Sequence, residues 1–166
     1  LEKKIIYSAN TDQLTDLYNR RYFYEYMTRN KIMSKHVNLF YIDLDNFKKI
    51  NDEYGHQAGD TVLVMVAKLL KQTFGAEFIA RVGGDEFLAV VLGSKTDAEL
   101  AILAERFLSS LQQTIADNAK FAVLSASIGI AVSNALTDVD LLIRQSDPAL
   151  YEAKRNGKKQ YKIYHK

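Results

Sequence analysis

Cysteine is absent from this chain, which excludes disulfides and thiolate metal sites. The same absence suits a reducing compartment, so a cytoplasmic location is expected. Proline occurs once, and 48% of the residues are hydrophobic, a composition that argues against disorder. No apolar run approaches the roughly 20 residues of a membrane span, and no signal peptide is visible. Neither sign of charge dominates. A formal net charge of +2 makes no strong electrostatic case for nucleic acid or an anionic membrane, and no nucleic-acid partner is expected. Internal repeats, low-complexity tracts and linkers are missing too. The 166 residues are enough for one core and few for two domains. The chain begins at Leu1 rather than at methionine, and the expectation is a domain excised from a longer protein.

What is present is carboxylate chemistry next to apolar strands. Gly83-Gly84-Asp85-Glu86-Phe87 stands between the apolar runs Phe78 to Val82 and Phe87 to Leu92, which reads as a hairpin with two acids at its turn. Asp43-Leu44-Asp45 follows the run Val37 to Ile42, and alternation puts Asp43 and Asp45 on one face of that strand end. Two acidic strand ends suggest a shared divalent ion.

Periodicity supplies the rest of the frame. Arg20 to Asn30 reads as a helix with Tyr22, Phe23 and Tyr26 on one side, Asn46 to Tyr54 as a short helix, and Ala58 to Thr73 as a core-facing helix striped by Val62, Leu63, Val66, Leu69 and Leu70. A helix from about Asp97, capped by that side chain, carries Leu100, Leu103, Ala104, Phe107, Leu108 and Leu111. Phe121 to Val132 is expected as a strand, Val139 to about Gly157 as a helix, and Gln160 to Tyr164 as a last strand. Helices alternating with a hairpin and isolated strands imply an α/β (α+β) layered sheet covered by helices.

Six ordered blocks carry a resemblance. Asp12-Gln13-Leu14-Thr15-Asp16-Leu17-Tyr18-Asn19-Arg20-Arg21 comes first, then Asp43-Leu44-Asp45-Asn46-Phe47-Lys48-Lys49-Ile50-Asn51-Asp52 and Gly55-His56-Gln57-Ala58-Gly59-Asp60. Arg81-Val82 leading into the signature turn, Ser127-Ile128-Gly129-Ile130-Ala131, and Asp147-Pro148-Ala149-Leu150-Tyr151-Glu152-Ala153-Lys154 complete the series. In this order the blocks resemble the GGDEF family of diguanylate cyclases along nearly the whole chain. The resemblance implies a palm-like, mainly antiparallel sheet as in adenylyl cyclases and polymerases. It implies one GGDEF-type nucleotidyl cyclase domain over residues 1–166, with residues 1–11 closing a linker helix from an upstream sensor or membrane module. The implied activity is condensation of two GTP into cyclic di-GMP and two pyrophosphates across a homodimer. Alternatives are a catalytically silent GTP-binding regulatory module and a nucleotidyl cyclase of other base specificity.

Such chemistry calls for magnesium, or manganese, bound by one or two carboxylates and the phosphates themselves. Asp43 and Asp85 are the first-named ligands, with the Leu44 backbone carbonyl carried over from the family. Glu86 is expected as a ligand or as the group that orients the attacking hydroxyl, so Asp85 and Glu86 form the catalytic pair. Asp45 reads equally well as a cap for the helix beginning near Asn46. Triphosphate binding falls to the backbone N–H groups of Asn46 and Phe47 at that helix start, to Lys48, and to Gly83 and Gly84, whose missing side chains allow unusual dihedrals and a close approach. By resemblance Lys154 and Lys158 contact the β- and γ-phosphates, Lys158 standing where the family usually has arginine. Asp60, with Asn51 beside it, matches the family's guanine contacts, and a carboxylate accepts both donors of the guanine edge. The plainer readings are a turn bond for Asn51 and a helix cap for Asp60. His56 is placed in the same substrate-binding segment as a packing or hydrogen-bonding support. Two departures stand out: Asp16 replaces a glycine the family often has, and Phe74 and Glu77 replace the Arg-x-x-Asp motif that binds product in many relatives.

Overall fold

The computed structural model describes residues 9–29, 36–75, 78–133 and 138–165. The expected linker helix over residues 1–11 therefore falls mostly outside the described residues, as do Asn30 and Glu77. The element order is β1 (Tyr18–Asn19), α1 (Arg20–Arg29), β2 (Val37–Asp45), α2 (Phe47–Tyr54), α3 (His56–Phe74), β3 (Phe78–Arg81), β4 (Glu86–Leu92), α4 (Asp97–Ile115), β5 (Ser125–Val132), α5 (Val139–Arg155) and β6 (Gln160–Ile163). These strands form one sheet in the order β1-β3-β4-β2-β5-β6. The four central strands pair antiparallel with one another, and only the edge pairs β1 with β3 and β5 with β6 are parallel. The mainly antiparallel sheet covered by helices is thus the observed architecture.

β2 is the spine of the sheet, and its alternation explains both cores. Phe40, Ile42 and Leu44 face one side with Phe87, Ala89, Ile128 and Ile130, where α3 and α4 cover them with Val66, Leu70, Leu100, Phe107 and Leu111. Val37 and Leu39 face the other side with Leu88 and Val90, under Phe23 and Met27 of α1 and Leu142 of α5. Continuing the second register, Tyr41, Asp43 and Asp45 emerge on the α5 side as the strand ends. β4 does the same from the opposite direction, so Glu86 lies directly across from Asp43.

α5 lies unusually close to the sheet because β5 offers no side chain at Gly129. A Cβ there would sit 2.4 Å from the Ser146 carbonyl oxygen and 2.5 Å from the Leu150 nitrogen. The helix ends in a Schellman closure, with Lys158 N–H donating to the Ala153 carbonyl at 3.0 Å and Gly157 N–H to the Lys154 carbonyl at 3.4 Å. Gly157 takes φ 113°, as its reading as the C-terminal stop requires.

Several local expectations change. Thr96, not Asp97, caps α4 through a reciprocal capping box with Glu99, because the hydroxyl one residue earlier reaches the free N–H. β5 begins at Ser125 rather than Phe121, which belongs to a 3₁₀ turn over Ala119–Phe121. α3 begins at His56 with Gly55 at its N-cap; Asp60 lies inside the helix and caps nothing. Asp16 holds φ 65°, the conformation that makes glycine the easy choice there. Among the described residues no helix is long and apolar enough to cross a membrane.

Candidate active site

The ends of β2 and β4 and the turn before β4 form an acidic mouth. Asp43 pairs in register with Glu86, and Leu44 N–H donates to the Asp85 carbonyl at 3.1 Å, tying the turn to the strand end. Burial pushes the Asp43 carboxyl above its ordinary range, and Asp85 and Glu86 push it further against the opposing charge of Lys154. Asp85 is raised in the same way, by burial and by Glu86. Asp43 and Asp85 thus hold their protons more tightly, first through burial and then through the neighbouring carboxylates, and a positive ion would relieve that repulsion. Among the described residues, no three histidine, cysteine, aspartate or glutamate side chains converge closely enough to hold an ion unaided. Magnesium does not need three, since one or two carboxylates plus substrate phosphates suffice. The donor set fits such an ion.

Glu86 is steered by a residue that motif reading overlooked. The Tyr41 hydroxyl donates a hydrogen bond to Glu86, and burial together with that carboxylate drives the phenol far above its ordinary range. Its signal was available, because Tyr41 stands two positions before Asp43 and shares its face. Arg81 was overlooked as well. Its guanidinium donates to the Gly84 carbonyl at 2.9 and 3.2 Å and to Asp12 at 3.1 and 3.2 Å, so it ties the signature turn to the Asp12–Thr15 turn.

Neither Gly83 nor Gly84 adopts positive φ, so the expected unusual dihedrals are not what the glycines supply. A Cβ on Gly83 would lie 3.1 to 3.2 Å from the Glu86 side chain, whereas one on Gly84 would meet open space. Room at the turn is what both provide, because the loop before Glu86 is long enough to reverse without left-handed residues.

Across from the acids stand the lysines. Lys154 Nζ lies 2.8 Å from Asp45 and 3.1 Å from Asp43. Burial alone would lower its proton affinity, but the two carboxylates more than reverse that and leave it firmly charged. Lys158 Nζ reaches Asn46 Oδ1 at 3.4 Å. Asn46 sits at the N-cap of α2 in the left-handed region, φ 66°, and offers the helix no side-chain cap; its amide instead donates to the Val123 carbonyl at 2.8 Å. The first N–H groups of α2, beginning at Phe47, are therefore left to an outside acceptor. Lys48 is exposed on the same turn.

Asp45 does not cap α2. It is buried and accepts from the hydroxyls of Ser125 and Ser127, from Lys154 and from Lys159 N–H. Burial favours its proton, yet these donors hold the carboxyl below its ordinary range.

The remaining residues lie on the α2–α3 side. Asp60 lines a groove of about 740 Å³ with Leu14, Gln57, Val64, Met65 and Leu69. Asn51 turns its side chain onto α3: a Cβ on Gly59 would stand 1.8 Å from Asn51 Oδ1, an oxygen that is buried without a hydrogen-bond partner. The local turn bond at this point comes from the Asn51 backbone carbonyl, which accepts from Gly55 N–H. His56 is exposed and makes no hydrogen bond among the described residues, so it is not the packing or bonding support expected of it.

Known proteins resemble this chain in sequence and in fold. The family model described as "Diguanylate cyclase, GGDEF domain" matches residues 9–160. The chain is 37% identical over 160 residues to diguanylate cyclase DgcS of Shewanella oneidensis, covering 93% of this chain and 53% of that protein. It is 36% identical over 160 residues to cyclic di-GMP phosphodiesterase PdeR of Escherichia coli, covering 94% of this chain and 24% of that protein. Among solved structures, the coiled coil and GGDEF domain of DgcB from Caulobacter crescentus, in complex with c-di-GMP, superposes with a TM-score of 0.85 at 25% identity, over 98% of this chain and 89% of that one. The chain spans between 21% and 53% of the length of the first curated relatives it matches. A family model over most of the chain and curated relatives at more than a third identity point the same way, and the chain belongs to the GGDEF domain family.

Proposed function

We propose that this domain is a diguanylate cyclase that joins two GTP molecules into cyclic di-GMP, releasing two pyrophosphates. The observation that carries the reading is the intact Asp43, Asp85 and Glu86 mouth facing Lys154 and Lys158. Asp43, Asp85 and the Leu44 carbonyl would hold a divalent ion, magnesium before manganese, with Glu86 beside them. When bound, the ion supplies charge neutralisation at the transferring phosphate and at the attacking oxygen. The free N–H groups at Asn46 and Phe47, with Lys48, Lys154 and Lys158, bind the triphosphate. Gly83 and Gly84 give it room. Glu86, held by Tyr41, is aimed to orient the 3′-hydroxyl and take up its proton.

Base choice belongs to Asp60 and Asn51, with His56 at the rim of the same segment. An ionised Asp60 accepts both donors of the guanine edge, while adenine would leave it facing a lone pair. The apolar floor of the groove suits a purine ring. One subunit holds one GTP, so closing the ring takes a homodimer with each 3′-hydroxyl attacking the partner nucleotide's α-phosphorus. A cytoplasmic site supplies GTP, and a sensor module upstream would set the encounter of the two halves.

The test is mass-spectrometric identification of products from purified protein with GTP, ATP or both, in magnesium. Cyclic di-GMP from GTP and little mixed or adenosine product is the expected result. Asp43→Ala and Asp85→Ala should each abolish synthesis while melting without nucleotide stays unchanged or rises, since each removes a repelling charge. GTP binding without product in the wild type would instead point to a silent regulatory module, and synthesis retained in both variants would overturn the ligand assignment.

A further inference from the structure

Asp45 accepts four hydrogen bonds, and no role above explains them. Its oxygens are closed off by Ser125 Oγ at 2.7 Å, Ser127 Oγ at 2.8 Å, Lys154 Nζ at 2.8 Å and Lys159 N–H at 3.2 Å. The side chain has no exposed surface. We infer that Asp45 is the positioning residue of the phosphate grip, tethering Lys154 and the Lys158-Lys159 turn so that Asp43 remains available to the divalent ion. The inference rests on the proposed contact of Lys154 and Lys158 with the triphosphate.

Lys154 is shared by two carboxylates, and only one of them has spare capacity for an ion. Asp43 is half-buried at the mouth and holds Lys154 at 3.1 Å. A cation arriving at Asp43 repels the ammonium group there, and with no second anchor the lysine would swing away as the phosphates arrive. Asp45 prevents this because its own donors are internal and stay in place. The same carboxylate controls the turn beyond α5. Lys158 and Lys159 take φ 64° and 56°, left-handed conformations that side chains other than glycine, asparagine and aspartate rarely occupy. The Schellman closure starts that turn, and the Lys159 N–H bond to Asp45 fastens its far end. The result is Lys158 Nζ delivered to Asn46, beside the uncapped start of α2. One buried carboxylate thus sets two cations from a single point.

The experiment measures binding of 3′-deoxy-GTP, which lacks the attacking hydroxyl, against GMP, both with magnesium and the full chain. Asp45→Asn should narrow the preference for the triphosphate roughly tenfold, the scale of one charge-assisted bond, while GMP affinity and the magnesium midpoint stay at wild-type values. Lys154→Met should cause a similar narrowing, and the double variant should lose less than the sum of the two single losses, any excess over Lys154→Met alone being the share that acts through the Lys158-Lys159 turn. An unchanged preference in Asp45→Asn, an equal loss for both ligands, or additive losses in the double variant would overturn the inference. A wild-type preference in Lys154→Met would overturn the phosphate role of Lys154 itself and the tether with it. Should Asp45→Asn fail to fold, Ser127→Ala keeps the carboxylate and removes one donor. Its expected narrowing is about threefold, and no narrowing there counts against the tether.

Discussion

At the scale of single residues, Gly59 shows how a helix interior can serve a neighbouring loop. Glycine there costs α3 roughly 0.5–1 kcal/mol relative to alanine, so Gly59→Ala ought to stabilise the helix. Its new methyl would collide with Asn51 Oδ1 and crowd Phe47, and the asparagine end, being flexible, would yield. We therefore expect the two effects nearly to cancel in thermal melting, while the KM for GTP rises roughly tenfold, about the value of one bond to the base. A large drop in melting temperature with unchanged KM would show that Asn51 does not touch substrate. That Gly59 and Asn51 belong to one site was legible as two motif blocks; their contact was not, because the residues are eight positions apart on different helices.

At the scale of elements, the position of α5 is set by Gly129. Gly129→Ala places a methyl against helix backbone, which cannot rotate away, at 2.4 and 2.5 Å. Overpacking of this kind typically costs about 1–3 kcal/mol. Because α5 carries Lys154, activity should fall more than stability, with triphosphate affinity lost before the fold is. Chemical denaturation and KM for GTP measured on the same variant check this, and normal KM in a destabilised protein would separate α5 seating from lysine placement. The periodicity of Val139 to Ala153 announced the helix, and the strand expected over Phe121 to Val132 announced β5, though it starts at Ser125. Which strand the helix would ride on, and how closely, is a matter of packing and not of pattern.

At the scale of the whole molecule, the Asp12, Arg81 and Gly84 chain joins the first turn to the signature turn. Burial raises the Asp12 carboxyl, but Thr15 and Arg81 overcome this and hold it below its ordinary range. A depressed acid contributes stability above its unfolded pKa, about 3.9, and that contribution disappears as pH falls through the lower folded value. Asp12→Asn should therefore melt earlier than wild type at neutral pH and converge with it once the pH is well below about 3.9; a difference that persists in strong acid would contradict the ion pair. Feedback is a second property of the whole. Phe74 is 4% exposed and packs edge-on to Phe40 with ring centres 5.0 Å apart, so this position serves the core and not a product clamp. Added cyclic di-GMP is expected to leave initial rates largely intact, and tight noncompetitive inhibition would reveal an inhibitory site built from other residues.

The sequence by itself determined the family, the mainly antiparallel layered fold and the identity of the acidic mouth, because alternation, turn residues and ordered motifs are local properties of a chain. Tertiary structure alone decided what Asp45, Tyr41 and Arg81 do. Asp45 read as a possible helix cap from its neighbours, yet its four donors come from β5, α5 and the turn before β6, 80 to 114 positions away. Tyr41 meets Glu86 only because β2 and β4 pair in one register. A side chain's partners across a sheet depend on strand order and helix seating, which the cooperative burial of the two cores sets.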